Sequence, residues 1–161
     1  MSDLVDRVIR NMKAQNLMLV TAESCTGGLL AASIIQKPGA SDVFERGFIT
    51  YSNEAKSESL GVPQELIQSY GAVSSEVAEA MAEGALVHSR ADLAVSITGI
   101  AGPDGGSSEK PVGLVYMGYA LKGGSAGSTK TLFTGNRNEI QSQCVQNALK
   151  NLLSILESES T

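Results

Sequence analysis

The feature that most constrains the fold is an apolar run that passes through a short polar segment into a second apolar run. Residues 17–20 predict a buried strand and residues 29–35 predict a helix. The segment between them contains Thr21-Ala22-Glu23-Ser24-Cys25-Thr26-Gly27-Gly28. Such a turn places small hydroxyl and thiol side chains at the C-terminal edge of a sheet, where α/β proteins bind ligands. It also directs backbone N–H groups and the positive end of a helix dipole toward one spot, which favours an anion.

The rest of the chain supplies further helices and strands, and their order predicts a three-layer α/β/α sandwich over a mixed sheet. A second buried strand is predicted at residues 93–98, and the apolar pattern predicts helices at residues 3–14 and 75–88. Shorter elements are predicted at residues 48–51 (strand), 52–60 and 63–67 (helices), 112–121 and 129–133 (an antiparallel hairpin), with a last helix from about Asn136. No linker or repeat interrupts this order, so we expect a single domain over residues 1–161.

Composition excludes several classes of protein. The net charge of −5 argues against a general nucleic-acid-binding protein, and no apolar run is long enough to span a membrane. The N-terminus lacks the layout of a signal peptide, and two cysteines are too few for a disulfide framework. We therefore expect a cytoplasmic protein with reduced thiols. The small-residue face of the helix at 75–88 and the apolar hairpin favour a homo-oligomer of unspecified number.

Ser24 and Cys25 are both candidate nucleophiles, and a serine needs a group that takes its proton. The single histidine, His88, lies at the end of a predicted helix, where its charge would interact with the helix dipole. A Ser-His-Asp triad is therefore poorly supported. Cys25 at a helix N-terminus would be an intrinsically better nucleophile than Ser24. The alternative is that Cys25 is only a small buried residue beside the turn. One histidine and no closely spaced cysteines give no support for a metal site.

Tyr51 and Lys56 are the best-placed alternative to a histidine base. Tyr51 ends a predicted strand, and Lys56 lies one turn into the helix that follows. A lysine can accept a proton when burial keeps it neutral, either directly or through a tyrosine. From spacing alone, an ordinary solvent-exposed amine is the favoured interpretation of Lys56.

Arg137 and the loop at residues 99–106 are candidate binding elements. A cation in the first turn of a helix opposes the dipole, at a cost of about 0.3–1 kcal/mol, unless a bound anion reverses the interaction. The alternative is a harmless exposed arginine. The glycine-rich loop follows a buried strand, so Thr98 and the N–H of Gly99 would lie where a ligand binds; alternatively the loop is only a mobile connection.

Five segments of the chain together resemble the C-terminal domain of the competence/damage-inducible protein CinA family. They are residues 21–28, 47–56, 71–74, 98–106 and 110–113. The resemblance covers nearly the whole chain and implies a mixed-sheet α/β/α fold without metal or cofactor. It also implies hydrolysis of the carboxamide of nicotinamide mononucleotide to nicotinic acid mononucleotide and ammonia, in pyridine-nucleotide salvage.

The resemblance assigns the catalytic roles to Ser24, Tyr51 and Lys56, and further active-site positions to Thr98 and Arg137. We predict that backbone N–H groups near Thr26 and Gly27 stabilise the oxyanion and that Arg137 and the Gly99 loop hold the 5′-phosphate. The full set of predicted substrate-binding residues is Cys25, Thr26, Gly27, Gly28, Thr98, Gly99 and Arg137.

One departure from the family pattern concerns phosphate binding. Many members carry a second arginine about one turn after the first, and this chain has Gln141 there. Two alternatives to the serine amidohydrolase stay open: a nucleotide-binding or competence/damage-associated module without turnover, and a thiol enzyme that uses Cys25.

Overall fold

The computed structural model describes residues 1–159, so the last two residues of the predicted domain lie outside the described part. Two helix–strand pairs are followed by three helices, three strands and a last helix. They are α1 (Ser2–Ala14), β1 (Leu19–Glu23), α2 (Leu29–Ile35), β2 (Phe44–Ile49), α3 (Asn53–Leu60), α4 (Gln64–Tyr70), α5 (Ser75–Val87), β3 (Leu93–Gly99), β4 (Leu114–Leu121), β5 (Ala126–Leu132) and α6 (Arg137–Glu159), with a 3₁₀ turn at Ala40–Asp42 before β2.

The five strands form one mixed sheet in the order β2-β1-β3-β4-β5. β1 pairs in parallel with both β2 and β3, whereas β4 pairs antiparallel with β3 and β5. The chain crosses over between the parallel strands through helices, as parallel pairs require. The predicted mixed sheet and hairpin are confirmed.

Helices cover both faces of the sheet. One apolar cluster joins α1, α2 and α6 to the sheet through buried side chains such as Val8, Leu30 and Leu149, and a second joins α3, α4 and α5 through Leu60, Ile67 and Met81. β3 is buried on both faces, which is why its sequence is almost continuously apolar. The predicted three-layer α/β/α sandwich is confirmed.

Most strand boundaries differ by a few residues from the sequence-based prediction, and two of these differences bear on the site. β1 begins at Leu19 and continues through Thr21 and Ala22 to Glu23, three residues into the polar segment. β2 ends at Ile49, so Tyr51 lies beyond the strand rather than at its end. The strand extends into the polar segment because hydrogen bonding to two neighbouring strands outweighs the low strand preference of polar residues. Thr21, for example, pairs with residues of both β2 and β3.

The arrangement of the parallel strands gathers three chain segments at one edge of the sheet. The turn after β1, the segment after β2 and the loop after β3 all leave the carboxyl ends of adjacent parallel strands. Open α/β sheets bind ligands in the crevice outside these ends.

Candidate active site

A cavity of about 270 Å³ opens at this edge of the sheet. Seven of the predicted site residues line it together: Ser24, Cys25, Tyr51, Lys56, Thr98, Gly99 and Arg137. The other three predicted binding residues, Thr26, Gly27 and Gly28, lie outside the lining. The sequence motifs after three different strands thus converge on one space.

Ser24 and Lys56 meet in the buried corner of the cavity. Ser24 directly follows β1, where its N–H donates to the carbonyl of Ile97 on β3 at 2.9 Å. Lys56 lies in α3, which begins because Ser52 caps it by accepting from the N–H of Ala55 at 3.0 Å. The Nζ of Lys56 is 3.0 Å from the Oγ of Ser24.

The environment of Lys56 favours the neutral amine. The residue is only 1% exposed, and burial holds the pKa of Lys56 below its ordinary value. Its Nζ donates to the carbonyls of Thr50 at 3.1 Å and Tyr51 at 3.3 Å, and within residues 1–159 no carboxylate pairs with it. The interpretation of Lys56 as a solvent-exposed amine is wrong, because α3 turns this side chain into the core.

Tyr51 and Arg137 form the exposed side of the cavity. Tyr51 is 64% exposed, and its hydroxyl accepts a hydrogen bond from Nη2 of Arg137 at 3.1 Å. Nη1 of the same guanidinium donates to the carbonyl of Gly102 at 2.6 Å. Tyr51 therefore reaches Lys56 through its main-chain carbonyl, whereas its hydroxyl is directed to the arginine.

Thr98 and Gly99 form the far wall at the end of β3. The hydroxyl of Thr98 donates to the carbonyl of Ala72 at 2.9 Å, which fixes a second lining segment. A Cβ at Gly99 would lie 2.9 Å from the carbonyl oxygen of Leu114, so only glycine allows β3 and β4 to approach so closely here.

Cys25 borders the cavity, and its surroundings link it to α6. A hydrogen bond with Cys144 lowers the pKa of the Cys25 thiol, against burial, which raises it. The same hydrogen bond and burial raise the pKa of Cys144. The side chain of Gln141 donates to the carbonyl of Cys25 at 2.9 Å. Gln141 thus contacts the turn after β1 and is not part of the cavity lining.

The N-terminus of α2 is already occupied by a side chain of the protein. The carboxylate of Glu23 accepts from the N–H of Leu30 at 2.9 Å and of Ala31 at 3.0 Å. The N–H of Gly27 donates to the carbonyl of Ser24 at 3.1 Å, whereas that of Thr26 has no acceptor within residues 1–159. The expectation that this helix presents free N–H groups to an anion is therefore wrong for its first turn.

Several lining residues were not singled out from the sequence as site residues. Asn53, Ala72, Val73 and Asp104 border the cavity alongside the predicted residues. Each lies in one of the five segments that carry the family resemblance, which was the only signal available for them. Neither periodicity nor spacing distinguishes them from ordinary turn residues.

Residues 1–159 contain no group of three or more His, Cys, Asp or Glu side chains that could hold a metal ion. None of the helices in this range has the length and apolarity needed to cross a membrane.

Comparison with known proteins gives a consistent match over the whole domain. The family model described as the CinA C-terminal domain matches residues 1–156. The nicotinamide-nucleotide amidohydrolase PncC of Escherichia coli K12 is 48% identical over 149 residues, which is 92% of this chain and 90% of that protein. A CinA-like protein of Akkermansia muciniphila is 48% identical over 152 residues, 94% of this chain but 37% of the relative.

The chain thus spans little more than a third of several of the curated relatives it matches and nearly all of others.

Solved structures agree with the fold. The competence/damage inducible protein CihA from Agrobacterium tumefaciens superposes with a TM-score of 0.93 at 44% identity, covering 97% of this chain and 94% of that one. A CinA superfamily protein from Klebsiella pneumoniae gives 0.94 at 34% identity, covering 98% of both.

Proposed function

The chain belongs to the CinA C-terminal domain family, and from this premise we propose that it is a nicotinamide-nucleotide amidohydrolase. It would hydrolyse the carboxamide of nicotinamide mononucleotide and release ammonia. The observation that carries the proposal is the 3.0 Å contact between Ser24 Oγ and Lys56 Nζ in the cavity that Arg137 also lines. A nucleophile, its base and a cation for a phosphate then share one space.

Lys56 can act as the base because its hydrogen bonds suit a neutral amine. An uncharged amine has two N–H groups, and the carbonyls of Thr50 and Tyr51 accept both. Its lone pair is then free to accept the hydroxyl proton of Ser24, which is the geometry of an activated serine. This direct contact needs no relay through the hydroxyl of Tyr51.

The reaction follows from this pair. Ser24 Oγ attacks the amide carbon while its proton moves to Lys56 Nζ, and the tetrahedral intermediate carries negative charge on the former carbonyl oxygen. The N–H group of Cys25, which directly follows Ser24 and lines the cavity, would stabilise that charge, in place of the predicted groups near Thr26 and Gly27, which lie outside the lining. Lys56 returns the proton to the leaving nitrogen, ammonia departs, and water hydrolyses the acyl-enzyme by the reverse proton route.

Arg137 would bind the 5′-phosphate and thereby orient the amide. Within residues 1–159 its guanidinium bonds to Gly102 and Tyr51, both neutral acceptors, so a phosphate would offer it a stronger charge-assisted bond. Because this remote charge contributes to the transition state, nicotinamide without its ribose phosphate should be a poor substrate.

The proposal is tested by measuring ammonia release from nicotinamide mononucleotide with the wild type, Ser24→Ala and Lys56→Ala. We expect turnover by the wild type and its near loss in both variants. Ser33→Ala, on α2 and away from the cavity, and Lys122→Ala, on the exposed hairpin tip, are matched controls that should retain turnover.

Two outcomes would contradict the proposal. Turnover at the wild-type level in either active-site variant would remove its assigned role. Binding of the nucleotide by the wild type without any ammonia release would instead support the non-catalytic binding module.

A thiol mechanism is the second candidate, favoured by the lowered pKa of Cys25 beside the cavity. Under that mechanism Cys25→Ala abolishes turnover and Ser24→Ala does not. The serine mechanism predicts the reverse, with less than about tenfold loss in Cys25→Ala because the main chain of residue 25 remains.

A cytoplasmic location and a homo-oligomeric state remain predictions of the sequence. The size of the assembly can be measured by light scattering on the purified protein.

A further inference from the structure

Glu23 is the most deeply buried carboxylate next to the site, and the proposed mechanism does not use it. It is the last residue of β1 and only 1% exposed. Burying a carboxylate in a protein is costly unless hydrogen bonds compensate it. Glu23 receives three: from the hydroxyl of Thr26 at 2.6 Å and from the N–H groups of Leu30 and Ala31.

These three hydrogen bonds connect both ends of the nucleophile turn, residues 24–28. Glu23 precedes the turn, Thr26 lies within it, and Leu30 and Ala31 belong to the first turn of α2 behind it. A helix is usually capped by its own N-cap residue, but here that residue is Gly28, in a left-handed conformation and without a side chain. The cap is supplied instead from the preceding strand, across the turn.

This long-range cap has a consequence for Ser24. Ser24 follows Glu23 immediately, and its own N–H and carbonyl are bonded to Ile97 and Gly27. Glu23 does not line the cavity, so it reaches the reacting atoms only through the turn. We propose that Glu23 is a positioning residue that holds the turn rigid and thereby keeps Ser24 Oγ in contact with Lys56 Nζ.

The inference rests on the proposed function, and two measurements test it. The first compares kcat and KM for nicotinamide mononucleotide between the wild type and Glu23→Gln. The N–H groups of Leu30 and Ala31 bond to different carboxylate oxygens, and the amide keeps the shape of the side chain but replaces one of those oxygens with an NH₂ donor, so one of the two bonds is lost. We expect kcat to fall by about 10–100-fold with KM within about twofold, since misplacing a nucleophile slows chemistry more than binding.

The second measurement does not depend on the amide substrate. A fluorophosphonate probe phosphonylates an activated serine, since the hydroxyl oxygen attacks phosphorus and fluoride leaves, and its rate of reaction at Ser24 should fall by a similar factor in Glu23→Gln. If the wild type reacts with the probe but releases no ammonia, the proposed function fails while this comparison still decides the role of Glu23.

Ser96→Ala is the matched control for a merely structural role. Ser96 lies on β3, is fully buried and makes two hydrogen bonds, to Ala78 and Gly118, away from the cavity. It should lower the thermal midpoint without changing kcat or the labelling rate. If Glu23→Gln does not fold, Thr26→Val removes one of the three bonds and should show a smaller kcat loss. An unchanged kcat in a folded variant, or a rise in KM alone, would overturn the inference.

Discussion

The two sides of the cavity differ in how firmly the protein holds them. Ser24 and Lys56, called the reacting wall after their proposed roles, are almost fully buried and are fixed by main-chain carbonyls and by the turn after β1. Tyr51 and Arg137, the opening wall, lie at the surface and bond mainly to each other and to Gly102. Buried, well-bonded groups are preorganised, whereas exposed side chains can adjust to a ligand.

This contrast suggests a division of labour. Interactions that act only in the transition state change kcat, and interactions that bind substrate and transition state alike change KM. Substitutions in the reacting wall should therefore appear in kcat and those in the opening wall in KM. Each prediction below tests whether the two walls separate in this way.

Replacing Ser24 with Ala should have the largest effect. Without the hydroxyl no acyl-enzyme can form, and we expect kcat to fall by at least about 10³-fold, as when a catalytic serine is removed elsewhere. KM for nicotinamide mononucleotide should stay within about threefold, because the opening wall is intact. Initial rates of ammonia release give both constants, and a large rise in KM would mean that the walls are not separable.

Replacing Lys56 with Met should have the next largest effect. The variant keeps the length and apolar stem of the side chain but has no proton acceptor, and we expect about 10²–10⁴-fold loss of kcat. In the shorter Lys56→Ala, which leaves space where the buried side chain was, small primary amines added to the assay should restore part of the rate if the lost group is a base. A variant that retains more than a tenth of wild-type kcat would show that another group takes the serine proton.

The sequence predicted the fold well because its strongest signals coincide with the most buried elements. The run at residues 93–98 is apolar because β3 is covered on both faces, and the first helix shows its apolar stripe clearly. The strand end at Glu23 was missed because its polar side chain is satisfied by groups that come later in the chain. Local polarity indicated a turn, whereas the ladder and the long-range cap extend the strand.

The candidate site was predictable only in part, for a similar reason. The spacing of Tyr51 and Lys56 along the chain predicted that they lie near each other. It could not show that α3 directs the lysine inward toward Ser24, which is 32 positions earlier. It also could not show that the hydroxyl of Tyr51 meets Arg137, 86 positions later. Burial and such distant contacts depend on packing of the whole domain, and only the family resemblance pointed to them.

Replacing Arg137 with Ala should act mainly on KM. A charge-assisted hydrogen bond to a phosphate contributes about 1.5–3 kcal/mol, so we expect KM to rise by about 10–100-fold with a smaller change in kcat. The KM of Arg137→Lys should lie between those of the wild type and Arg137→Ala, because lysine keeps the charge but not the bidentate geometry of the guanidinium. Equal KM in the variant and the wild type would place the phosphate elsewhere in the cavity.

The lowered pKa of Lys56 should also appear in the pH dependence of stability. Above the ordinary lysine pKa of about 10.4 the amine is neutral in both folded and unfolded chains. As the pH falls below that value, the unfolded chain binds a proton and the folded protein does not, until the lowered pKa of Lys56 is reached. The wild type should therefore lose about 1.4 kcal/mol of unfolding free energy per pH unit across this window, relative to Lys56→Met.

Urea unfolding of the two proteins between pH 7 and 10 measures this slope. The carbonyls of Thr50 and Tyr51 lose their donor in the variant, which shifts its stability by an amount independent of pH, so the slope is the relevant quantity. Lys122→Met, which removes an exposed lysine at the hairpin tip, is measured alongside as the control. A flat difference between the wild type and Lys56→Met would mean that burial does not hold the amine neutral.

Replacing Tyr51 with Phe should have the smallest effect, and it decides to which wall Tyr51 belongs. If its hydroxyl relays the serine proton to Lys56, kcat should fall by about 10²-fold or more. The structure directs that hydroxyl to Arg137, and the contact with Lys56 is through the main-chain carbonyl, which the variant keeps. We therefore expect kcat within about threefold of wild type and a KM raised less than about tenfold, because the guanidinium loses one hydrogen bond, to an exposed neutral hydroxyl.

A double-mutant comparison sharpens this last test. If Tyr51 acts through Arg137, the effect of Tyr51→Phe on KM should largely disappear when Arg137 is already Ala, because the two side chains share one interaction. If it acts on the reacting wall, its effect on kcat should persist unchanged in the Arg137→Ala background. The second result would assign Tyr51 to catalysis and leave Arg137 as the sole side chain of the opening wall.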